Sequence, residues 1–148
     1  MPDLLITSRQ RSIRYDHGRL ALVVQNALPL CLEIAAGLEG PLLHLGRIEC
    51  TVVGRRAMAR VHRKFLNACG ATDVITFPDG EILVCAPVAR ERAEEFGHDV
   101  PTELALYCIH GLLHLAGHDD LEPKAARQMA RAQEKILRAA AGKSATRR

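Results

Sequence analysis

Two histidines spaced four residues apart, His110 and His114, are the residues whose type and spacing best suit metal chemistry. On an α-helix, residues i and i+4 lie on one face about one turn apart, so both imidazoles can point at one ion. Their neighbours are apolar, and burying two imidazoles among such residues costs free energy unless they gain strong partners. The pair therefore predicts a metal site on one face of a helix.

A third ligand has to come from a turn that follows this helix. On a straight helix His118 would lie about 12 Å along the axis from His110, and one ion with bonds of about 2 Å does not bridge that span. Gly117 can end the helix, because glycine adopts the left-handed conformation at little steric cost. After the turn either His118 or Asp120 can face the ion, since both residue types bind zinc when deprotonated.

Three protein ligands leave one position open, which is the catalytic arrangement of zinc. A structural site is disfavoured, because such sites are commonly rich in closely spaced cysteines. The five cysteines of this chain, at positions 31, 50, 69, 85 and 108, are far apart in sequence. We therefore expect one Zn²⁺ per chain, although manganese or nickel would also be accepted by such ligands.

The glycine after the first histidine bears on the type of reaction. Zinc peptidases with the pattern His-Glu-x-x-His use the glutamate as general base, and Gly111 occupies that position here. A peptidase is therefore disfavoured. A glycine at this place either admits a substrate or another backbone, or serves close packing, and the sequence does not separate these alternatives.

Composition predicts one domain with an aliphatic core. The chain has 148 residues, of which 48% are hydrophobic and only 3% aromatic. We expect residues 1–141 to form a single metal-dependent hydrolase domain and residues 142–148 to form a disordered basic tail. No run of about 20 unbroken apolar residues and no secretory leader is found, so no membrane association is expected. Unpaired cysteines favour a reducing cytoplasm.

Basic residues form three clusters in a chain whose net charge is +3. Each cluster alone is more typical of a solvated surface, but together they modestly favour a polyanionic partner. Aromatic residues are too few for the usual base-stacking platform of proteins that bind single strands. The clusters are Arg9, Arg11, Arg14 and Arg19; Arg55, Arg56, Arg60, Arg63 and Lys64; and Lys143, Arg147 and Arg148.

The elements that position the histidines follow from hydrophobic periodicity and turn signals. Strands are predicted at Leu4–Thr7, Arg47–Val53, Thr72–Phe77 and Glu81–Cys85, the last two paired as a hairpin through Pro78-Asp79-Gly80. Helices are predicted at Leu20–Leu38, kinked or divided at Pro29, and at Arg55–Leu66, Pro87–Phe96, Thr102–Ala116 with Thr102 as N-cap, and Glu122–Ala141. We expect an α+β fold, with a small mixed β-sheet covered by helices and the metal site at the end of a central helix.

Two motifs together resemble those of the YbeY family of bacterial rRNA maturation endoribonucleases. The first is the stretch from His110 to Gly117, with sequence HGLLHLAG. The second is the stretch from Thr72 to Pro78, with sequence TDVITFP, followed by a strand similar to the family's. The resemblance covers about residues 48–137 and is specific because the two motifs occur at the expected distance.

The resemblance implies a single α+β domain with zinc in a cleft. It implies a metal-dependent, single-strand-specific endoribonuclease that acts in 16S rRNA 3′-end maturation and ribosome quality control. The implied partners are the 16S rRNA precursor and the small ribosomal subunit, with no DNA or membrane partner. In this reading the ion polarises a phosphate oxygen or a water, and the Arg55–Lys64 helix holds the RNA backbone. Asp73 either hydrogen-bonds near the cleft or forms a turn.

The chain departs from the family pattern at two places. The family's third histidine stands ten residues after the first, where this chain has Asp120, and His118 takes the place of the family's tyrosine. By position, Asp120 is the predicted third ligand with His110 and His114. The family also carries an arginine before the second motif, where this chain has Leu66, and Arg63 one turn earlier is the candidate replacement.

Two other functions stay open at the level of sequence. One is a ribosome-assembly factor that binds RNA or protein and uses its metal only for folding, which the missing arginine favours slightly. The other is a metallohydrolase with a different substrate. No catalytic residue beyond the metal ligands is assigned.

Overall fold

Strands and helices alternate in the first half of the chain, and three consecutive helices follow the last strand. The computed structural model describes the backbone of residues 1–146 and the side chains of residues 1–142. The strands are β1 (Asp3–Ser8), β2 (Arg47–Val53), β3 (Val74–Thr76) and β4 (Glu81–Cys85). The helices are α1 (His17–Leu38), α2 (Arg55–Leu66), α3 (Ala86–Phe96), α4 (Val100–Ala116) and α5 (Pro123–Thr146), and a 3-10 turn covers Pro41–His44.

The four strands form one mixed sheet in the order β1-β2-β4-β3. Strands β1, β2 and β4 run parallel, and β3 pairs antiparallel with β4. The predicted hairpin is confirmed, since the turn between β3 and β4 is closed by the Gly80 amide, which donates to the Phe77 carbonyl at 3.1 Å. The α+β class and the mixed sheet covered by helices are likewise confirmed.

Both faces of the sheet are covered, because side chains alternate along each strand. On β4, Ile82 and Val84 enter the larger core, which they share with α1, α4 and α5. Leu83 and Cys85 point the other way, into a smaller core that contains Met58 of α2. The burial of both sides explains why β4 reads as a continuous apolar run in the sequence.

Helix α1 is a long core helix that packs against α4 and α5. It runs without division through Pro29, so the prediction that this proline divides the helix is wrong. By length and composition alone, α1 is long and apolar enough to span a membrane. This is weak evidence for a membrane span, because buried core helices pass the same test. In the structure its buried side joins the main core, through Leu20, Val23, Val24, Ala27, Leu28, Cys31 and Ala35.

Helix α4 lies at the centre of the larger core and carries both histidines. It begins two residues earlier than predicted, and its N-cap is Asp99 rather than Thr102. The Asp99 carboxylate accepts a hydrogen bond from the Thr102 amide at 3.0 Å, so Thr102 lies inside the first turn. The first turn of α4 tolerates Pro101, because an amide hydrogen at this position would have no partner within the helix.

The last helix continues past the predicted end at Ala141, since α5 is assigned through Thr146. The basic tail predicted at residues 142–148 reaches Arg147 and Arg148, which lie outside the described residues. That prediction stays a prediction.

Candidate metal centre

Three side chains converge where α4 ends. The Nε2 atoms of His110 and His114 are 3.1 Å apart. One carboxylate oxygen of Asp120, Oδ2, lies 3.8 Å from the first of these nitrogens and 3.7 Å from the second. The three residues thus form a group in which one ligand atom from each could reach a common ion.

The other nitrogen of each imidazole faces an oxygen atom. His110 Nδ1 lies 2.7 Å from Gln133 Oε1, and His114 Nδ1 lies 3.1 Å from the backbone carbonyl of His118. A carbonyl oxygen only accepts, so each Nδ1 carries the proton and each Nε2 presents a lone pair. Two lone pairs and a carboxylate therefore face one another, and this arrangement is repulsive unless a cation binds between them.

The spacing fits a tetrahedral ion. With bonds of about 2.0–2.1 Å, ligand atoms around tetrahedral zinc lie roughly 3.3 Å apart. The distances of 3.1, 3.7 and 3.8 Å agree with this value to within about half an ångström. The donor set of two imidazoles and one carboxylate also occurs at catalytic zinc sites.

The turn after α4 brings Asp120 back toward the histidines. Gly117 has φ +115°, in the left-handed region. Its amide donates to the His114 carbonyl at 3.1 Å, and the His118 amide donates to the Leu113 carbonyl at 3.0 Å. This is the hydrogen-bond pattern of a Schellman turn, which satisfies the last carbonyls of the helix and reverses the chain.

The turn also separates the two candidates for the third ligand. The Asp120 carboxylate joins the group of possible ligands, whereas the His118 imidazole does not. His118 contributes its backbone carbonyl instead, which holds the imidazole of His114. The structure thus brings together the three residues predicted as ligands; their binding of an ion stays a prediction.

Electrostatics at the group favour a neutral imidazole on His114. Burial lowers the pKa of His114, and the neighbouring His110 lowers it further, while Asp120 partly opposes both effects. Metal ions bind the neutral form of histidine, so the shift keeps this side chain ready to bind.

Gly111 is a packing glycine. A Cβ atom at this position would lie 2.8 Å from Thr76 Oγ1 and 2.9 Å from two carbons of Ile82. The helix therefore lies directly against the β3–β4 hairpin, with no room for a side chain. The glutamate of a zinc peptidase does not fit here, which removes the support for that class of reaction.

The three side chains lie in an open groove of about 770 Å³. One side of the groove is apolar, and there Phe65 packs edge-to-face on Phe77 with ring centroids 5.2 Å apart. Leu66 also lines the groove, while Arg63 lines a separate pocket with Arg60 and Cys69. No lysine or arginine, Arg63 included, is among the described residues that line the groove.

The Asp73 carboxylate, at the edge of the groove, accepts hydrogen bonds from β3 and from α3. Its Oδ1 accepts from the Val74 amide at 2.8 Å, and its Oδ2 accepts from Arg92 of α3 at 2.9 Å. Both alternatives for this residue thus hold, since it shapes the start of β3 and lines the cleft. No local pattern pointed to Arg92 or Gln133, because their contacts join residues 19 and 23 positions apart in the chain.

Comparisons with known proteins place these features in one family. The family model described as "Endoribonuclease YbeY" matches residues 5–141. Curated proteins named Endoribonuclease YbeY are 33% identical in Frankia casuarinae, 33% in Chlorobium luteolum and 31% in Brevibacillus brevis. The matches cover 63%, 73% and 77% of this chain and 56%, 84% and 85% of the relatives.

The chain spans only 56% of the length of the Frankia casuarinae relative and 62% of the length of a second relative, from Frankia alni, which is 34% identical. The solution structure of TM1509 from Thermotoga maritima is similar over 97% of this chain and 93% of that protein, with a TM-score of 0.62 and 26% identity. The family match extends over both motifs and every strand and helix except the first two residues of β1 and the last five of α5. The chain belongs to the YbeY family.

Proposed function

We propose that this chain is a metal-dependent endoribonuclease that cleaves single-stranded RNA. The observation that carries the proposal is the convergence of two imidazole lone pairs and one carboxylate in an open groove. Relatives named Endoribonuclease YbeY support an RNA substrate. His110, His114 and Asp120 would hold the ion, and we propose zinc because of the ligand types.

The chain's own groups would position the RNA. Bound zinc supplies Lewis-acid stabilisation of a phosphate and activation of a water. Phe65 and Phe77 offer an apolar surface for an unpaired base, and such a surface favours a single strand because the bases of a duplex are already stacked. The lysine and arginine side chains of α2 are exposed and precede Phe65 on that helix, and they would attract the phosphate backbone of the RNA.

The biological setting proposed is 16S rRNA 3′-end maturation and quality control on the small ribosomal subunit in the cytoplasm. The family supports the RNA partner, and the resemblance in sequence supplies the finer setting. All five cysteines are free thiols, as is usual in a reducing compartment.

The direct test combines a metal assay with RNA cleavage. His114→Ala should lose bound zinc and the cleavage of a labelled single-stranded RNA, while duplex RNA stays uncut by the native protein. His44→Ala is the matched control, because His44 is an exposed histidine outside the ligand group. Cleavage by His114→Ala at the native rate would refute the mechanism.

A ribosome-assembly factor with a structural metal is the second candidate. It is favoured by one observation, the absence of a lysine or arginine among the described residues that line the groove. In that case the native protein would bind RNA without cutting it, and chelation would unfold the chain. Circular dichroism with and without a chelator, beside the cleavage assay, separates the two functions.

A further inference from the structure

A second cavity of about 460 Å³ adjoins the groove. We call it the side cavity; it lies among the start of β3 and helices α3, α4 and α5. It shares Asp73, Val74 and His110 with the groove, so these three residues form a common wall. A nucleotide next to one held at the ligand group would therefore lie beside the side cavity.

Two buried polar side chains of α4 line the side cavity. Glu103 is 3% exposed, and its Oε1 lies 2.5 Å from His98 Nε2. Tyr107, one turn further along the helix, is 4% exposed, and its hydroxyl has no hydrogen-bond partner among the described residues. Burial raises the pKa of this hydroxyl, and so does the Glu103 carboxylate, toward which the hydroxyl can turn to donate, so the hydroxyl stays protonated.

A buried hydroxyl without a partner costs free energy, and native structures rarely leave one unless a ligand or water completes it. The carboxylate beside it retains acceptor capacity, because each of its oxygens has two lone pairs and only Oε1 contacts His98. Tyr107 and Glu103 thus offer the side cavity one donor next to one or two acceptors, four residues apart on a single helix face.

We propose that the side cavity binds the base of a neighbouring nucleotide and prefers guanine, an inference that rests on the proposed function. The Watson–Crick edge of guanine presents one acceptor, O6, followed by two N–H donors, N1 and N2. Tyr107 would donate to O6 and Glu103 would accept from both N–H groups. Adenine, cytosine and uracil each present at most one of these donor positions, so they complement the pair less well.

The mouth of the side cavity is suited to the rest of a nucleotide. Phe96 lines it and is 65% exposed, so its ring is free to stack on a base. Phosphates would stay outside, away from Glu103. An adjoining pocket that shares His98 is lined by three arginines and two carboxylates, and its excess of cations suits a phosphate. These residues are Arg11, Arg14, Arg90, Glu94 and Asp99.

The test uses the full chain loaded with zinc and single-stranded oligouridylates that carry one central guanosine, inosine, adenosine or cytidine. Inosine lacks only the 2-amino group, so it removes one proposed hydrogen bond to a carboxylate. Affinity is measured by fluorescence anisotropy and the cleavage position on a gel. We expect guanosine to bind about tenfold or more tightly than inosine, and cleavage to fall at a fixed distance from it.

Two variants connect this preference to the side cavity. Glu103→Gln should abolish the distinction between guanosine and inosine. Tyr107→Phe should reduce guanosine preference severalfold with little change in stability, because the hydroxyl it removes makes no well-formed hydrogen bond among the described residues. Glu95→Gln is the matched control, since Glu95 is an exposed carboxylate of α3 that does not line the side cavity. If Glu103→Gln does not fold, Tyr107→Phe carries the test alone.

The outcomes separate the two proposals. Equal affinity for guanosine and inosine in the native protein, or a preference unchanged in Tyr107→Phe and Glu103→Gln, would overturn the side-cavity assignment while cleavage itself persists. A purely structural Glu103–His98 pair would change stability in Glu103→Gln but not base preference. Absence of both RNA binding and cleavage would refute the proposed function and this inference with it.

Discussion

Asp120, the proposed third ligand, stands where the sequence resemblance places the family's third histidine. Asp120 Oδ2 lies 3.8 and 3.7 Å from the two imidazole nitrogens, while the His118 side chain is outside the group. Position relative to the helix-ending turn decided this outcome, because the turn carries the chain outward at residue 118 and returns it at residue 120. A carboxylate lowers the net charge of the group by one unit compared with a third histidine.

Removal of Asp120 should therefore affect metal binding where removal of His118 does not. We expect Asp120→Ala to weaken zinc binding by at least about tenfold, since a ligand is lost. His118→Ala should bind as the native chain does, because its backbone carbonyl remains to hold His114. Competition with a chromogenic chelator measures both affinities; weaker binding in His118→Ala alone would assign the ligand the other way.

Gln133 should matter although it touches no proposed ion. Its Oε1 lies 2.7 Å from His110 Nδ1 and fixes both the tautomer and the orientation of that ring. We expect Gln133→Ala to lower zinc affinity by about 10–100-fold with little change in folding. Gln128→Ala is the control on the same helix, because Gln128 is exposed. Equal affinities for the two variants would show that Gln133 does not orient the ligand.

At the scale of elements, Gly111 holds α4 against the hairpin. A Cβ there would be 2.8 Å from Thr76 Oγ1, so Gly111→Ala should destabilise the fold by about 1–3 kcal/mol through overpacking. Gly37→Ala, also within a helix but with no atom within 4 Å of the added Cβ, should instead stabilise by about 0.5–1 kcal/mol. Urea unfolding of both variants checks the sign; a stabilised Gly111→Ala would contradict the close packing.

Local signals in the sequence predicted most elements. The bounds of β2, α2 and β4 agree with the prediction. The apolar run of β2 ends before Gly54, the amphipathic pattern of α2 ends at Leu66, and the apolar run of β4 follows Gly80. The start of α4 was missed because Asp99 and Thr102 are both good N-caps, and only the structure shows which side chain accepts a bond. Pro29 did not divide α1, because packing of that helix against α4 and α5 outweighs one lost backbone hydrogen bond.

The candidate site divides in the same way between local and distant information. The histidine pair was predictable because His110 and His114 lie on one face of one helix. The residues alone left His118 and Asp120 open as the third candidate, and position in the family motif favoured Asp120. Gln133, Arg92 and Tyr107 were not predictable, because their roles depend on how α3, α4 and α5 pack together. Parallel pairing of β1, β2 and β4 likewise depends on long connections, which hydrophobic patterns do not specify.

At the scale of the whole molecule, the buried thiols make the free energy of unfolding fall as the pH becomes alkaline. Cys31 is fully buried, and burial raises its pKa from 9.0 to about 12. Above pH 9 the unfolded chain loses this proton while the folded chain keeps it, so the free energy of unfolding falls as pH rises toward 12. The loss from this one thiol is about 1.4 kcal/mol per pH unit.

Substitution of Cys31 tests this dependence. Between pH 8 and pH 10, urea unfolding should show a smaller drop in stability for Cys31→Ala than for the native chain. The drop does not vanish, because a hydrogen bond with Cys50 and burial also raise the pKa of Cys108. Cys69→Ala, at an exposed cysteine, should follow the native curve. Parallel curves for all three proteins would contradict the assignment to Cys31.

The loop from Gly117 to Asp120 has a kinetic consequence for the whole protein. Both imidazoles are fixed on a core helix, whereas the Asp120 side chain is 45% exposed and follows a glycine turn. An ion bound there would thus have two ligands on a rigid helix and a third on an exposed loop. Exchange of the ion with the surroundings then requires only this short loop to open, and the core never has to loosen for the protein to be loaded or emptied.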